Sequence, residues 1–203
     1  MRLFDFLFPP RVDEALLRQA TDDEFFALVS PRLVPATHPG TVALLPFHAP
    51  IVRAALHEAK YHGSERAFKL LGESLADYLR EHDDIEHKKV VVVPVPLGKK
   101  REKDRGFNQV YELSCRGLRK DGQVLIDRSL LGRTRETPSQ VSLAREKREA
   151  NMRDAFGAAH AVDPHCTYIV VDDVITTGAT LQAAIDALTA AGATDIIPIA
   201  LAH

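Results

Sequence analysis

The chain has 203 residues, of which 45% are apolar and 27% charged, and its formal net charge is −2. This composition is typical of one globular domain with a substantial core, and it excludes disordered, collagen-like and membrane-spanning classes. Because Cys115 and Cys166 are its only cysteines, one chain builds neither a disulfide framework nor a four-cysteine zinc site. We expect a cytoplasmic protein with reduced cysteines, no structural zinc and no membrane insertion.

The first quarter of the chain has weak hydrophobic patterns. Short amphipathic stretches occur at residues 12–20 and 22–29, and a loop rich in Pro and His follows at residues 30–40. We therefore predict an accessory segment over residues 1–45 and one domain over residues 46–203.

From residue 41 onward, strand and helix patterns alternate. The predicted strands cover residues 41–47, 90–93, 124–131, 168–171 and 196–201. The predicted helices cover residues 49–60, 64–82, 107–119 and 179–191. Uninterrupted apolar runs such as the four valines at 90–93 are typical of strands buried on both faces. The alternation predicts right-handed crossovers and an open, mostly parallel α/β sheet flanked by helices.

Two longer connections interrupt this pattern. Residues 97–106 are polar and basic, and we predict a loop there. Residues 132–151 are rich in Arg and contain Pro138, which predicts a long excursion with a short helix near residues 142–149.

Charge is divided unevenly along the chain. Residues 97–153 carry 15 Lys and Arg against 8 Asp and Glu, and residues 154–203 contain six Asp but no Lys or Arg. Two solvated faces of different sign would explain this division. It would also suit a polyanion bound together with a divalent cation, because the cation and the basic side chains share the neutralisation. On charge alone, the two solvated faces are the favoured explanation.

The stretch most informative about chemistry is residues 169–180. An apolar strand ends in Asp172 and Asp173, turns through Thr-Thr-Gly and enters a helix. In open α/β sheets, ligands bind at the carboxyl ends of strands. Backbone N–H groups, hydroxyls and the positive end of a helix dipole meet at such a turn, which predicts a phosphate site, and Gly178 permits a close backbone approach. The two carboxylates cannot bind the same phosphate and would face sugar hydroxyls or a hydrated cation instead. The alternative to a ligand site is a strand followed by a capped helix, with Asp172 and Asp173 as solvated turn residues.

This motif resembles the phosphoribosyl diphosphate (PRPP) motif of type I phosphoribosyltransferases. Two other segments occur in the order expected for one family: Pro-Val-Pro-Leu at 94–97 with Arg-Gly-Phe-Asn-Gln at 105–109, and the Arg-rich residues 133–143. From about residue 51 to the C-terminus, the sequence resembles the ComF family of competence-associated, phosphoribosyltransferase-like proteins. Many ComF-like proteins begin with a cysteine-rich zinc module, whereas residues 1–50 contain no Cys.

The resemblance implies a role for each matching residue. Asp172 and Asp173 would face the ribose hydroxyls and, through these or through water, Mg²⁺. The residues implied to hold the 5′-phosphate are Thr176, Thr177, Gly178, Ala179 and Thr180. The resemblance places Pro96, Leu97 and Lys99 in the diphosphate-binding loop and residues 133–151 in a flap that closes over the reacting centre. Lys60 could reach the ligand, although a cation at a helix C-terminus explains it nearly as well. Guanidinium groups bind diphosphate oxygens in pairs, which makes candidates of Arg101, Arg105, Arg133, Arg135, Arg145 and Arg148. Among the arginines, Arg105 and Arg145 are our first candidates for stabilising the charge that develops on the leaving diphosphate.

Two functions follow from these features and stay open at this point. The first is transfer of a phosphoribosyl group from PRPP with Mg²⁺ to an unidentified acceptor, with release of diphosphate. The second is a non-catalytic competence factor that senses PRPP or a nucleotide, or binds single-stranded DNA through the basic residues 97–153. The resemblance also implies a link to DNA uptake and to competence proteins. The sequence does not determine the oligomeric state, but the implied fold class often forms symmetric homodimers.

Overall fold

The computed structural model describes residues 11–81, 89–118, 124–134 and 155–203. In chain order the helices are α1 (Val12–Gln19), α2 (Asp22–Phe26), α3 (Pro50–His62), α4 (Glu65–Arg80), α5 (Lys99–Arg105), α6 (Gln109–Leu118) and α7 (Ala179–Ala190). The strands are β1 (Arg32–Val34), β2 (Thr41–Leu45), β3 (Lys89–Pro94), β4 (Val124–Ile126), β5 (Leu131–Arg133), β6 (Phe156–Ala158), β7 (Cys166–Val174) and β8 (Asp195–Ala202). Among these helices, none is long and apolar enough to cross a membrane.

The main sheet has six strands in the order β1-β2-β8-β7-β3-β4. Only β1 runs antiparallel to its neighbour, and the four other pairings are parallel. A separate antiparallel pair is formed by β5 and β6. The predicted fold class, an open and mostly parallel sheet flanked by helices, is confirmed.

Each face of the sheet carries its own apolar core, which explains the continuous valine run. Val90 and Val92 belong to a core shared with α3, α4 and α6. Val91 and Val93 belong to a second core shared with α7 and with β5 and β6. Because successive side chains of a strand point to opposite faces, a strand covered on both sides is apolar at every position.

Residues 97–106, predicted as a loop, contain helix α5, so that prediction is wrong. The seven residues of α5 are Lys, Arg, Glu and Asp, and none is buried. An exposed helix has no apolar stripe, and periodicity therefore gives no signal for it. Composition gives a better signal, because Lys, Arg and Glu favour helices, and Gly106 ends α5 in the left-handed conformation at φ 81°.

Smaller differences occur elsewhere. Residues 30–40, predicted as a loop, contain the short edge strand β1. The strand predicted within residues 124–131 is β4, and it ends where the Asp127 carboxylate accepts the N–H groups of Ser129 and Leu130 and turns the chain toward β5. The helix predicted near residues 142–149 lies outside the described residues.

The described part of the N-terminal segment shares the core of the rest of the chain. Leu17 of α1 and Phe25 of α2 are buried in the core that contains α3 and α4. Strand β2 pairs in parallel with β8, inside the main sheet. The division of the chain at residue 45 stays a prediction.

A buried carboxylate ties the start of α1 to α3. Glu58 is 1% exposed and accepts two hydrogen bonds from Arg11, from Nε at 3.0 Å and from Nη2 at 2.7 Å. The Arg11 hydrogen bonds lower the pKa of Glu58 although its burial opposes this.

We expect Arg11→Ala to reduce the free energy of unfolding by about 1–3 kcal/mol, because it leaves a buried carboxylate without its partner. The difference should begin to fall as the pH drops below the ordinary pKa of a Glu side chain, 4.5, so it should be smaller at pH 3.5 than at pH 7. It should disappear only below the lowered pKa of Glu58 in the folded parent, where Glu58 is protonated in both variants. Urea unfolding at pH 7 and pH 3.5 measures both effects. Arg18→Ala, which removes an exposed ion pair to Glu14 within one helix, is the control and should cost about 0.5 kcal/mol or less. Equal effects of the two changes at pH 7 would contradict the prediction.

Candidate functional site

A cleft of about 410 Å³ lies at the carboxyl ends of β3 and β7. Strand β7 contributes Asp172 and Asp173, and the chain leaving β3 contributes Pro96 and Leu97. Four cationic side chains from three other elements line the same cleft: Lys60 of α3, Arg101 and Arg105 of α5, and Arg133 of β5. The cleft therefore places two carboxylates beside four cations at the sheet edge where ligands of α/β proteins bind.

Both oxygens of the Asp173 carboxylate have protein partners. Oδ2 accepts a hydrogen bond from Gln109 Nε2 at 2.8 Å and lies 3.4 Å from Lys60 Nζ. Oδ1 accepts the backbone N–H of Val174 at 2.8 Å. These contacts hold the Asp173 carboxylate in one orientation toward the cleft.

Asp172 has a different electrostatic environment. Its Oδ1 accepts the backbone N–H of Asp173 at 2.9 Å. Burial of its carboxyl, together with the adjacent Asp173 carboxylate, raises the pKa of Asp172 to about 7, although Lys60 and Arg133 act in the opposite direction. Strongly raised pKa values are typical of functional sites, where charges are held ready for a ligand that supplies the missing countercharge.

Arg105 reaches this carboxylate pair through Gln109. Arg105 Nη1 donates to Gln109 Oε1 at 2.9 Å, and Gln109 in turn donates to Asp173. The Arg105 guanidinium also lies over the ring of Tyr61, 5.3 Å from its centroid. Burial lowers the pKa of Arg105, but an arginine remains charged at neutral pH. A partly desolvated guanidinium of this kind attracts anions more strongly than one in water.

The turn between β7 and α7 forms a small depression beside the cleft, lined by residues 174–181 and Asp172. The first turn of a helix leaves backbone N–H groups without partners inside the helix, so the start of α7 offers donors to an anion. Gly178 begins α7 with a φ of 77°. A Cβ at this position would lie 2.9 Å from the carbonyl carbon of Ala36 and still closer to its oxygen. Glycine is therefore required both by the backbone conformation and by the approach of Ala36.

The loop between β1 and β2 covers this turn. The backbone N–H of His38 donates to Gln182 Oε1 of α7 at 2.7 Å, one turn after Gly178. The sequence indicated that Gly178 permits a close approach of the backbone to a phosphate, but it did not indicate that Ala36 of the chain itself lies against this glycine. Nothing in the local pattern of residues 30–40 links this loop to α7.

The predicted site residues fall into four groups by position. The cleft is lined by Lys60, Pro96, Leu97, Arg101, Arg105, Arg133, Asp172, Asp173, Thr176 and Thr180. The depression at the turn is lined in addition by Thr177, Gly178 and Ala179. Lys99 is the first residue of α5 and lines neither cavity of the described residues. Arg135, Arg145 and Arg148 lie outside the described residues.

Sequence reasoning missed two side chains of the cleft that carry polar groups, Tyr61 and Gln109. Each lies in a segment that the sequence had singled out, beside Lys60 and at the end of the Arg-Gly-Phe-Asn-Gln motif. Gln109 is 3% exposed and follows Asn108, whose side chain caps α6 by accepting the N–H of Val110. A buried amide directly after a helix cap is a signal that Gln109 has a polar partner, since buried polar groups are normally hydrogen-bonded.

The donor set of the cleft fits Mg²⁺ held mainly by a ligand. Mg²⁺ prefers oxygen ligands, keeps several waters and usually takes one or two carboxylates from the protein. Asp173 has partners on both oxygens, whereas the hydrogen bonds of Asp172 within the described ranges involve Oδ1 only. Contacts to the ion through water or ribose hydroxyls, as the sequence predicted, are compatible with this arrangement.

One other group of metal-type donors occurs among the described residues. Atoms of His57, Glu58 and His62 lie within 4.8 Å of one another. Glu58 is bound by Arg11 through both oxygens, so its charge is already neutralised. The two cysteines are free, and burial raises the pKa of Cys166.

No protein-family model matches the sequence, and no curated protein matches it. Among solved structures, the chain is similar to a hypoxanthine phosphoribosyltransferase from Staphylococcus aureus in two crystal forms. The tetragonal form aligns with a TM-score of 0.40 at 14% identity over 66% of this chain and 61% of that chain. The orthorhombic form aligns with a TM-score of 0.38 at 14% identity over 68% of this chain and 64% of that chain. The chain thus spans less than two thirds of the length of these structures, and the ComF resemblance depends on its motifs alone.

Proposed function

We propose that this protein binds PRPP with Mg²⁺ in the cleft and transfers its phosphoribosyl group to an acceptor, with release of diphosphate. One observation supports this above all others. Paired carboxylates, a hydroxyl-bearing helix N-terminus and a group of cations converge on one sheet edge. A ribose diol, a 5′-phosphate and a diphosphate require these three kinds of partner, and PRPP carries all three.

Each group of side chains then has a distinct task. Asp173, oriented by Gln109 and Lys60, would accept hydrogen bonds from the ribose hydroxyls, together with Asp172. Thr176 and Thr180 line the cleft where the helix N-terminus would meet the 5′-phosphate. The cationic side chains would bind the diphosphate.

Charge accounts for the chemistry we assign. As diphosphate leaves C1 of the ribose, negative charge grows on the diphosphate and positive charge on the ring. All five side chains line the cleft. Arg101, Arg105 and Arg133 would stabilise the charge on the diphosphate, and Asp172 and Asp173 would stabilise the charge on the ring. Bound Mg²⁺ would neutralise further charge on the phosphates.

The cellular role and the further partners in this proposal come from the motif resemblance. A ComF-type role would link the protein to DNA uptake in the cytoplasm, with competence proteins or single-stranded DNA as further partners and a homodimer as the assembly. None of the geometry of the cleft requires these partners. They enter the proposal with the motifs at residues 94–97, 105–109 and 133–143.

Binding is tested by thermal unfolding of the full chain with PRPP and Mg²⁺. Ligand at 100 times its Kd stabilises by about 2.7 kcal/mol, which raises the Tm of a chain of this size by about 5–10 °C. The double variant Asp172→Asn, Asp173→Asn should lose this shift. Asp186→Asn, which changes an acid of α7 that does not line the cleft, should keep it. A PRPP-induced rise in Tm that remains in the double variant would contradict the proposal.

Turnover is tested by measuring diphosphate release with a panel of bases and amines. Release with any acceptor supports the transferase, and binding of PRPP without release across the panel supports the sensor instead. Single-stranded DNA binding that weakens steeply with salt and survives the double substitution would indicate a separate nucleic-acid surface.

A further inference from the structure

A buried amide joins two parts of the cleft that the proposed function treats separately. The Gln109 side chain accepts a hydrogen bond at Oε1 from Arg105 Nη1, 2.9 Å away, and donates from Nε2 to Asp173 Oδ2, 2.8 Å away. Arg105 belongs to the cations assigned to the diphosphate, which we call the diphosphate side of the cleft. Asp173 belongs to the carboxylates assigned to the ribose, which we call the ribose side. Gln109 therefore bridges the two sides.

An amide suits this position because it is uncharged and has an acceptor at one end and a donor at the other. A guanidinium only donates hydrogen bonds and an ionised carboxylate only accepts them. The Gln109 amide can therefore face its two partners in one orientation only, with its oxygen toward Arg105 and its nitrogen toward Asp173. Hydrogen bonds in series polarise one another, so the bond from Arg105 strengthens the bond that Gln109 donates.

The backbone of Gln109 is attached to the sheet edge. The Asn108 side chain, at the start of α6, donates from Nδ2 to the carbonyl oxygen of Val95 at 2.9 Å. Val95 lies in the chain that leaves β3 and lines the cleft. The start of α6 is thus held in place, and the Gln109 side chain is the part that can respond to a ligand.

We propose that Gln109 couples the two sides of the cleft: a phosphate group held by Arg105 fixes, through the Gln109 amide, the orientation in which Asp173 meets the ribose hydroxyls. This inference rests on the proposed binding of PRPP. A guanidinium has several N–H donors, so Arg105 can bind diphosphate with the others while Nη1 holds Gln109. Gln109 is a positioning residue, because it acts through Arg105 and Asp173. When diphosphate departs, Asp173 is held less firmly, which favours release of the ribosyl product.

The test is isothermal titration calorimetry of the full chain with Mg²⁺ and two ligands, PRPP and ribose 5-phosphate, which lacks the diphosphate. Arg105→Lys keeps the positive charge but loses the planar fork. This change should weaken the binding of ribose 5-phosphate by about 3- to 10-fold, although Arg105 is assigned no contact with that ligand. Gln109→Met keeps the length of the side chain and removes the amide. In that background, Arg105→Lys should weaken the binding of ribose 5-phosphate no further.

Gln109→Met alone should raise the Kd for PRPP about 10-fold or more, because the Asp173 carboxylate loses a hydrogen bond. Arg101→Lys is the matched control. It alters a second arginine of α5 that lines the cleft, whereas the hydrogen bond to Gln109 described above comes from Arg105. The control should weaken the binding of PRPP and leave that of ribose 5-phosphate unchanged.

Gln109→Glu distinguishes the bridge from a packing role. The introduced acid, when protonated, donates to Asp173 and accepts from Arg105 as the amide does, whereas its ionised form repels Asp173. The Kd of this variant for PRPP, divided by the Kd of the parent at the same pH, should therefore fall as the pH is lowered from 8 to 6. The ratio removes the effect of the other titratable and charged groups of the cleft, which both proteins share: Lys60, Tyr61, Arg101, Arg133 and Asp172.

The outcomes separate this inference from the proposed function. A parent protein that does not bind PRPP would end both. If PRPP binds, the coupling alone is overturned when Arg105→Lys leaves ribose 5-phosphate binding unchanged, or weakens it equally with and without Gln109. Failure of the parent to bind ribose 5-phosphate would overturn it too, because the ribose side would then not act by itself. If Gln109→Met does not fold, the Kd ratio of Gln109→Glu decides, and a ratio independent of pH would contradict the coupling.

Discussion

Replacing Gly117 by Ala is expected to lower the free energy of unfolding by about 3 kcal/mol, because overpacking of a core typically costs 1–3 kcal/mol and here the obstacle is main chain. A Cβ at Gly117 of α6 would lie 2.9 Å from the Cα of Gly72 in α4 and closer still to its carbonyl group. A Cβ at Gly72 would in turn lie 2.9 Å from the backbone nitrogen of Gly117. Two helix backbones in contact cannot make room by rotating a side chain.

Whether Gly117→Ala raises or lowers the free energy of unfolding distinguishes helix propensity from close packing. Helix propensity alone predicts that Gly117→Ala stabilises the protein by about 1 kcal/mol. Close packing predicts the opposite, with a Tm about 6–12 °C lower for a chain of this size. Thermal and urea unfolding measure the difference. The control is Gly132→Ala, where the nearest atom to the new Cβ is 3.9 Å away and the change should stay within about 0.5 kcal/mol. A Gly117→Ala protein as stable as the parent would show that α4 and α6 do not touch in this way.

The contact between Gly72 and Gly117 also shows what the sequence could not supply. Strands such as β3 and β7 are predictable because burial on both faces gives each a continuous apolar run, residues 90–93 in β3 and 169–171 in β7. The Gly72–Gly117 approach joins residues 45 positions apart, and neither glycine has a local pattern that names the other. Helix α5 was missed for a different reason, since a helix without a buried face has no periodic signal.

The same distinction holds within the candidate site. Asp172, Asp173 and the turn to Gly178 are consecutive in sequence, so their placement at one sheet edge follows from the strand and helix on either side. Gln109 and Tyr61 reach the cleft only through the packing of α6 and α3 against the sheet. The link from Arg105 through Gln109 to Asp173 is a tertiary arrangement that no spacing rule encodes.

Asp172→Asn is expected to stabilise the unliganded protein at pH 8 and to abolish the effect of PRPP on its Tm. The pKa of Asp172 is raised to about 7 from its ordinary value of 3.8, by burial and by the adjacent Asp173 carboxylate. The folded state therefore binds this proton more tightly than the unfolded state. Below about pH 4, Asp172 is protonated in both states and does not affect the free energy of unfolding. Between pH 4 and 7 the unfolded state ionises first, so the free energy of unfolding falls as the pH rises, and above pH 7 it falls no further.

An amide removes that cost because it does not ionise. A rise in the pKa of Asp172 from 3.8 to about 7 corresponds to a loss of at most about 4 kcal/mol in the free energy of unfolding. Relaxation of the site reduces the gain expected for the variant to about 2–3 kcal/mol at pH 8. At pH 4 the variant and the parent should be equally stable. Urea unfolding at the two pH values measures the gain.

Asp127→Asn provides a control of opposite sign. Although burial of Asp127 opposes it, hydrogen bonds from Ser129 and Leu130 lower the pKa of its carboxyl, so its ionised form stabilises the fold at pH 8. The Asp127→Asn protein should therefore be less stable than the parent at pH 8. If Asp172→Asn also loses stability at pH 8, the carboxylate at 172 is held by the protein itself rather than kept for a ligand. If Asp172→Asn gains stability and loses the response to PRPP, then ionised Asp172 destabilises the unliganded fold. Its charge is compensated only when the ribose and its cation bind.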